Sequence, residues 1–130
     1  MVHVLNGGLK KWINENRNIT KNFPKIKISD YKSIEKKELV KDKIMIEENI
    51  KFKKFKIIDG RSKERFEGKV PEPRKGLRSG SIENSFCIPF NYCLNKDKTF
   101  KKKDELKNVF KPFIKDLNEK DIVFSCGSGV

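Results

Sequence analysis

Apolar residues recur along this 130-residue chain at two spacings, and the alternation between them sets the first expectation. Val2 to Leu5 is a short apolar run closed by Asn6-Gly7-Gly8, and within Leu9 to Asn16 the residues Leu9, Trp12 and Ile13 fall at helical spacing. The opening therefore predicts strand, turn, helix. Arg17 to Lys27 is polar and aperiodic, with Pro24, and reads as a linker. Ile26-Lys27-Ile28 then alternates like a strand, and Glu38 to Ile50 places Leu39, Ile46 and Ile50 near one helical face.

The second half repeats the alternation. Phe55 to Ile58 is a β-branched run ending at Asp59-Gly60, and Phe86 to Ile88 is a further short strand. Between them, Arg61 to Ser85 is rich in Arg, Pro and Gly and is too long for an ordinary connection, which marks it as a functional segment. Leu106, Val109, Phe110, Phe113 and Ile114 recur at i, i+3, i+4, i+7 and i+8, the stripe of a core-facing helix, with Pro112 placed to kink it. Ile122-Val123-Phe124 is a last buried strand that runs straight into Cys126-Gly127-Ser128-Gly129-Val130. Strands alternating with helices predict an α/β fold whose parallel sheet is formed by residues 26–28, 55–58, 86–88 and 122–125.

Composition narrows the class. The length allows one small domain and excludes two large ones. Apolar residues make up 35% of the chain, below the roughly 45–50% of ordinary domains, and ten Phe residues supply bulk to a core that contains no alanine. Lys and Arg exceed Asp and Glu by 31 to 18, a formal charge of +13. Because Ala and Gln are absent while Lys, Ile, Asn and Phe abound, the charge follows an A+T-rich coding bias and says little about partners. Lysines are spread along the chain, the longest run is Lys101 to Lys103, and no aromatic-interleaved RNA motif accompanies it, so a basic nucleic-acid-binding module is the weaker alternative. No apolar run approaches the roughly 18 residues of a membrane span, and no signal peptide pattern opens the chain; a cytoplasmic protein without a membrane partner is expected.

Three cysteines without a C-x-x-C and a single histidine, His3, predict neither a disulfide scaffold nor a metal site, and no cofactor is expected. Cys87 and Cys93 read as small buried hydrophobes beside a strand. Cys126 differs, because it follows a buried strand where open α/β sheets place their ligands. The glycines after it let the backbone curl around the sulfur, so that N–H groups, and the dipole of a following helix, favour thiolate over thiol. Only five positions use Arg against 26 Lys, and four of them, Arg61, Arg65, Arg74 and Arg78, lie between 61 and 78. This local switch suggests that fork geometry matters there: Arg65 and Arg74 suit a small carboxylate, unless they serve as structural ion pairs with Glu67 and Glu72.

These residues together resemble the rhodanese superfamily, and specifically its two-domain thiosulfate and 3-mercaptopyruvate sulfurtransferases. The resemblance is carried by Ile57-Ile58-Asp59-Gly60-Arg61-Ser62, Arg65-Phe66, Gly68, Pro71-Glu72-Pro73-Arg74, Gly76, Gly80, Ile82, Ile88-Pro89-Phe90 and the loop Cys126 to Val130, which is similar to the mercaptopyruvate type. Val4-Leu5-Asn6-Gly7-Gly8-Leu9 with Trp12 resembles the end of the family's first domain. The sequence departs at Asn6, where Asp is usual, at Ser81, where Gly-His-Ile is usual, and at Asn84, which replaces a common glycine.

The resemblance implies a rhodanese-like α/β domain, a parallel sheet flanked by helices and incomplete at both ends. Residues 1–16 would be the last strand and helix of a first domain, 17–33 the interdomain linker, and 34–130 a second, catalytic domain cut at its active-site loop. It implies Cys126 as the nucleophile carrying sulfur as a persulfide, Arg65 and Arg74 as substrate-binding arginines, and Ser128 in proton handling. Gly127, Gly129 and Val130 would supply loop backbone, with Asp59 and Arg61 mainly structural. The implied partners are a small-molecule sulfur donor, 3-mercaptopyruvate or thiosulfate, of which the loop favours the first, and a thiol or cyanide acceptor, with a first rhodanese domain elsewhere in the parent chain. The 130 residues alone are expected to turn over little, because the helix after the loop and one wall of the cleft are missing. A non-catalytic regulatory rhodanese-like domain is the other alternative.

Overall fold

A computed structural model describes residues 3–114 and 121–127. Helix α1 spans Gly8–Asn14, α2 Lys43–Phe52, α3 Lys63–Phe66 and α4 Lys103–Phe110; strand β1 is Lys56–Asp59, β2 Phe86–Cys87 and β3 Ile122–Ser125. The strands form one parallel sheet in the order β2-β1-β3, with Ile58 opposite Phe86 on one side and Phe124 on the other. The fold class is therefore the expected α/β with a parallel sheet.

Strand β1 is the middle of this sheet, and its central residues are apolar and covered on both faces. Ile57 and Ile58 point to opposite faces, and both are almost wholly buried. On the Ile58 face the core gathers Ile88 and Ile114, with Val109, Phe110, Phe113 and Ile122 packed around them. Phe113 tilts against Phe86 at 5.6 Å between ring centres, and Phe110 meets Phe124 edge-on at 6.5 Å. The apolar stripe seen in the sequence is thus the face that α4 and its following turn lay on the sheet.

Local signals explain most element ends. Asp42 caps α2 by accepting a bond from the Met45 N–H at 2.9 Å, so the helix starts at Lys43 and not at Glu38. Leu39 lies before it, in a short 3₁₀ turn at Lys37–Leu39, and is exposed. The buried side of α2 carries Asn49, whose amide donates to the Phe55 carbonyl and accepts from the Phe55 N–H, both at 2.9 Å. This clamp fixes where the chain enters β1. Regular α4 ends at Phe110 because Pro112 has no N–H to continue the ladder, yet Ile114 N still donates to the Phe110 carbonyl at 3.0 Å and keeps Phe113 and Ile114 on the core face. Asn84 has φ of 62°, a left-handed conformation that glycine adopts freely and asparagine tolerates, which accounts for the exchange at that position.

Two expected strands are absent. Ile26 to Ile28 forms no strand: the sheet places β2 and β3 on the two sides of β1, and Ile28 is fully exposed in a segment, 17–36, without helix or strand. Alternation needs a ladder partner, and this segment has none in the sheet. Residues 3–5 likewise form no strand, and Val2 lies outside the described residues. The helix after them docks instead on the turn at 95–100, where Asn6 Oδ1 accepts from the Phe100 N–H at 2.8 Å and Lys11 meets Asp97 at 3.2 Å. No helix among the described residues is long and apolar enough to cross a membrane.

Two predictions follow from this packing. Ile58→Ala should destabilise the chain by about 2–5 kcal/mol in equilibrium urea unfolding, because it empties a site with packed neighbours on every side. Ile28→Ala should change stability by less than about 0.5 kcal/mol. Equal losses at the two positions would contradict the core described here.

The Asp97 carboxyl is held down at about 2, first by hydrogen bonds from the Thr99 hydroxyl and N–H and then by Lys11. A carboxyl lowered on folding stabilises the fold fully above its ordinary value of 3.8 and loses that contribution as pH falls through about 2. A carboxyl-detected NMR titration should find Asp97 titrating near that value. Asp97→Asn should flatten the acid end of the stability profile between about pH 4 and pH 2.

Candidate active site

The carboxyl ends of the three parallel strands meet where Asp59, Cys87 and Ser125 stand in register. Beyond them the backbone stays tied: Gly60 N donates to the Ser125 carbonyl at 2.9 Å, Ile88 N to the Asp59 carbonyl at 3.0 Å and Phe90 N to the Gly60 carbonyl at 3.0 Å. The long segment from Arg61 to Ser85 leaves this edge and returns to it. It carries one turn of helix, α3, whose N-cap is Ser62.

What folds that segment is a network of four charges. Asp59, 1% exposed, accepts from the Arg61 N–H at 2.9 Å and from Arg61 Nε and Nη2 at 3.0 and 2.6 Å. Arg61 also donates through Nη2 to the Gly80 carbonyl at 2.7 Å and through Nη1 to Glu72 Oε1 at 2.8 Å. Glu72, with a side chain 3% exposed, receives Arg65 as well, Nε on Oε1 at 3.2 Å and Nη2 on Oε2. Arg65 and then Arg61 hold the Glu72 carboxyl below the usual carboxylate range. No buried side-chain N or O is left unsatisfied among the described residues.

Arg65 links this network to the cysteine loop. A Cβ added to Gly127 would collide with Arg65 Nη2 and lie 3.2 Å from Cζ and 3.4 Å from Nη1, so the guanidinium rests where only glycine leaves room. The edge formed by Nε and Nη2 is occupied by Glu72, while Nη1 has no hydrogen-bond partner among the described residues. The end of the guanidinium, Nη1 with the second hydrogen of Nη2, therefore remains as a fork beside the loop.

The sequence-predicted residues fall into three groups. Cys126 directly follows β3 and is exposed, Gly127 is half-buried under Arg65, and an open cleft of about 250 Å³ is lined by Arg65, Glu72, Pro73, Arg74 and Gly127. The structure brings Arg65, Arg74 and Gly127 together around this cleft, and Cys126 precedes Gly127 in the chain without lining it. Arg74 is exposed and makes no ion pair or hydrogen bond among the described residues. Ser128, Gly129 and Val130 lie outside the described residues.

Of the two readings of the arginines, the ion pair with Glu72 is present at Arg65. Arg65 presents only one fork to the cleft, because its other edge is taken by Glu72. Glu67 is no arginine partner: it pairs with Lys69 at 2.7 Å and Lys63 at 3.8 Å. The residue underweighted by sequence is Glu72, whose signal was its place between Pro71 and Pro73 within the arginine-bearing segment.

Cys87 and Cys93 are half-buried, and burial pushes both thiols up; Asp59 adds to the effect at Cys87, whose Sγ lies 3.9 Å from the Arg61 carbonyl. Neither has the environment of an activated nucleophile. Among the described residues no group of three or more His, Cys, Asp or Glu side chains is placed to hold a metal.

Comparison with known proteins leads to the same place. No family model matches the chain. It is 34% identical over 129 residues to the 3-mercaptopyruvate sulfurtransferase of Mus musculus, and 32% identical over 130 residues to the thiosulfate sulfurtransferase of Rattus norvegicus. Each alignment covers 99% of this chain and 43% of the relative, so the chain spans less than half the length of the proteins it matches. The crystal structure of the Tum1 protein from Saccharomyces cerevisiae superimposes with a TM-score of 0.57 at 29% identity, over 72% of this chain and 35% of that one. Along nearly all of its length the chain is thus homologous to 3-mercaptopyruvate and thiosulfate sulfurtransferases, and it shares its α/β architecture with a rhodanese-fold structural neighbour.

Proposed function

We propose that this chain is the cysteine-bearing part of a two-domain cytoplasmic sulfurtransferase, with residues 1–16 closing a first rhodanese domain, 17–33 as the linker and 34–130 in the second. The donor is 3-mercaptopyruvate, with thiosulfate as the lesser alternative, and the acceptor is a thiol or cyanide. One observation carries the reading: the end of the Arg65 guanidinium that Glu72 does not occupy lies against Gly127, the residue after Cys126, at the carboxyl end of β3.

The chemistry follows from that arrangement. The donor carboxylate is held by the Arg65 fork with Arg74 across the cleft, which brings the donor sulfur to Cys126. The Cys126 thiolate attacks this sulfur, an S–S bond forms and the C–S bond breaks. The released electron pair leaves as the enolate of pyruvate, which takes up the donor's thiol proton at carbon, so that pyruvate departs and a persulfide anion remains. With thiosulfate the leaving group is sulfite. An acceptor thiolate or cyanide then attacks the outer sulfur and returns Cys126 as thiolate. Ser128 would relay protons in the loop, whose backbone N–H groups, those of Gly129 and Val130 included, would favour the sulfur anion.

The test uses the full-length protein that contains this chain. Incubation with mercaptopyruvate should add one sulfur atom to the peptide bearing Cys126, and cyanide should release it as thiocyanate. Cys126→Ser should abolish both, whereas Cys87→Ser and Cys93→Ser should keep them. Arg65→Lys and Arg74→Lys should each raise KM for mercaptopyruvate by about tenfold or more while leaving sulfur release from a preformed persulfide nearly unchanged, since lysine keeps the charge and loses the fork. Sulfur loading that survives Cys126→Ser would refute the nucleophile, and a wild-type protein that takes sulfur from neither donor would leave the regulatory alternative.

A further inference from the structure

We propose that Glu72 is a positioning residue for donor binding: it locks Arg65 in the one orientation that turns its open fork toward the Cys126–Gly127 backbone. The inference rests on the sulfur-transfer reading above. Arg65 is anchored only by α3, a single helical turn, and an arginine there would by itself sample many rotamers. Glu72 removes that freedom. It is buried between two prolines, and it takes the Nε and Nη2 edge of Arg65, which leaves the opposite end of the guanidinium for a ligand.

Glu72 is itself fixed from the sheet. Arg61 Nη1 holds Oε1 at 2.8 Å, and Arg61 is immobilised by the Asp59 carboxylate at the end of β1 and by the Gly80 carbonyl. A continuous line of charge-assisted bonds thus runs from the central strand through Arg61 and Glu72 to Arg65, whose guanidinium abuts Gly127. The network alternates in sign, two carboxylates with two guanidinium groups, so taking out Glu72 would leave Arg61 and Arg65 facing each other as like charges.

Glu72 touches the cleft wall but needs no contact with the transferred sulfur, and that separates the two half-reactions. In the full-length protein, Glu72→Gln keeps the shape, loses the charge and turns an amide N–H toward one of the arginines. It should raise KM for mercaptopyruvate by about tenfold or more, while the release of sulfur from a preformed Cys126 persulfide to cyanide stays within about twofold. Glu72→Asp keeps the charge but is too short to bridge both arginines, and should fall between.

In an Arg65→Lys background, Glu72→Gln should add less than about threefold, because both changes act through the same fork. Thermal unfolding of each variant shows that the comparison is made on folded protein, and Glu72→Asp decides the matter if Glu72→Gln does not fold. An unaltered KM in a folded Glu72 variant, an equal slowing of both half-reactions, or full additivity with Arg65→Lys would overturn the role. Normal wild-type turnover with any of these outcomes overturns this inference alone; a wild-type protein that takes no sulfur from mercaptopyruvate or thiosulfate overturns the sulfur-transfer reading and this role with it.

Discussion

The arrangement of the cleft depends on the ion pair between Asp59 and Arg61. Asp59 is the last residue of the central strand and almost wholly buried, so its charge would be costly without compensation. Arg61, two residues on, supplies a backbone N–H and two guanidinium nitrogens to it. Its remaining donors reach Gly80 and Glu72, which ties the middle and the later part of the long segment back to the end of β1. A segment with little helix or strand of its own is thereby given one shape. Breaking such a network would strand a buried charge, which costs far more than the net gain of forming it.

That network and the apolar core occupy opposite faces of one short strand. Ile58 joins Ile88, Ile114 and the residues from α4 on one side, and Asp59 lies on the face shared with Ile57. Apolar burial fixes where β1 lies, and β1 fixes where the charges start. Because β3 pairs with β1 in parallel register, Ser125 ends level with Asp59, and Cys126 and Gly127 emerge beside the charged loop. The catalytic geometry proposed for Cys126 is a consequence of strand register.

Most of the +13 charge takes no part in this. Most lysines found in pairs, such as Lys43 with Glu47 and Lys63 with Glu67, are exposed and make contacts that solvent screens. Three of the segment's four arginines also differ from one another: Arg61 is tied into the charge network, Arg65 bridges that network and the cleft, and Arg74 is open to solvent on the far wall. A planar fork can serve two partners at once, which an ammonium cannot, and this gives a physical meaning to arginine at Arg61 and Arg65 in a lysine-rich chain.

By itself the sequence determined the fold class, the strands around Ile57–Ile58 and Ile122–Phe124, the stripe from Leu106 to Ile114, and Cys126 as the residue at the end of the last strand. These are legible because β-branched runs, helical periodicity and glycine-rich turns are local signals. It erred at Ile26 to Ile28, where alternation held but the sheet had no place for a partner strand, and at Leu39, where the Asp42 cap started the helix later than the apolar spacing suggested. Tertiary structure alone decided that Glu72 joins Arg61 to Arg65 and that Arg65 covers Gly127, 62 positions further along the chain by sequence number. Such pairings depend on which charges are brought together after the strands align, and no periodicity in the chain encodes the distance between two loops that meet only across a sheet edge.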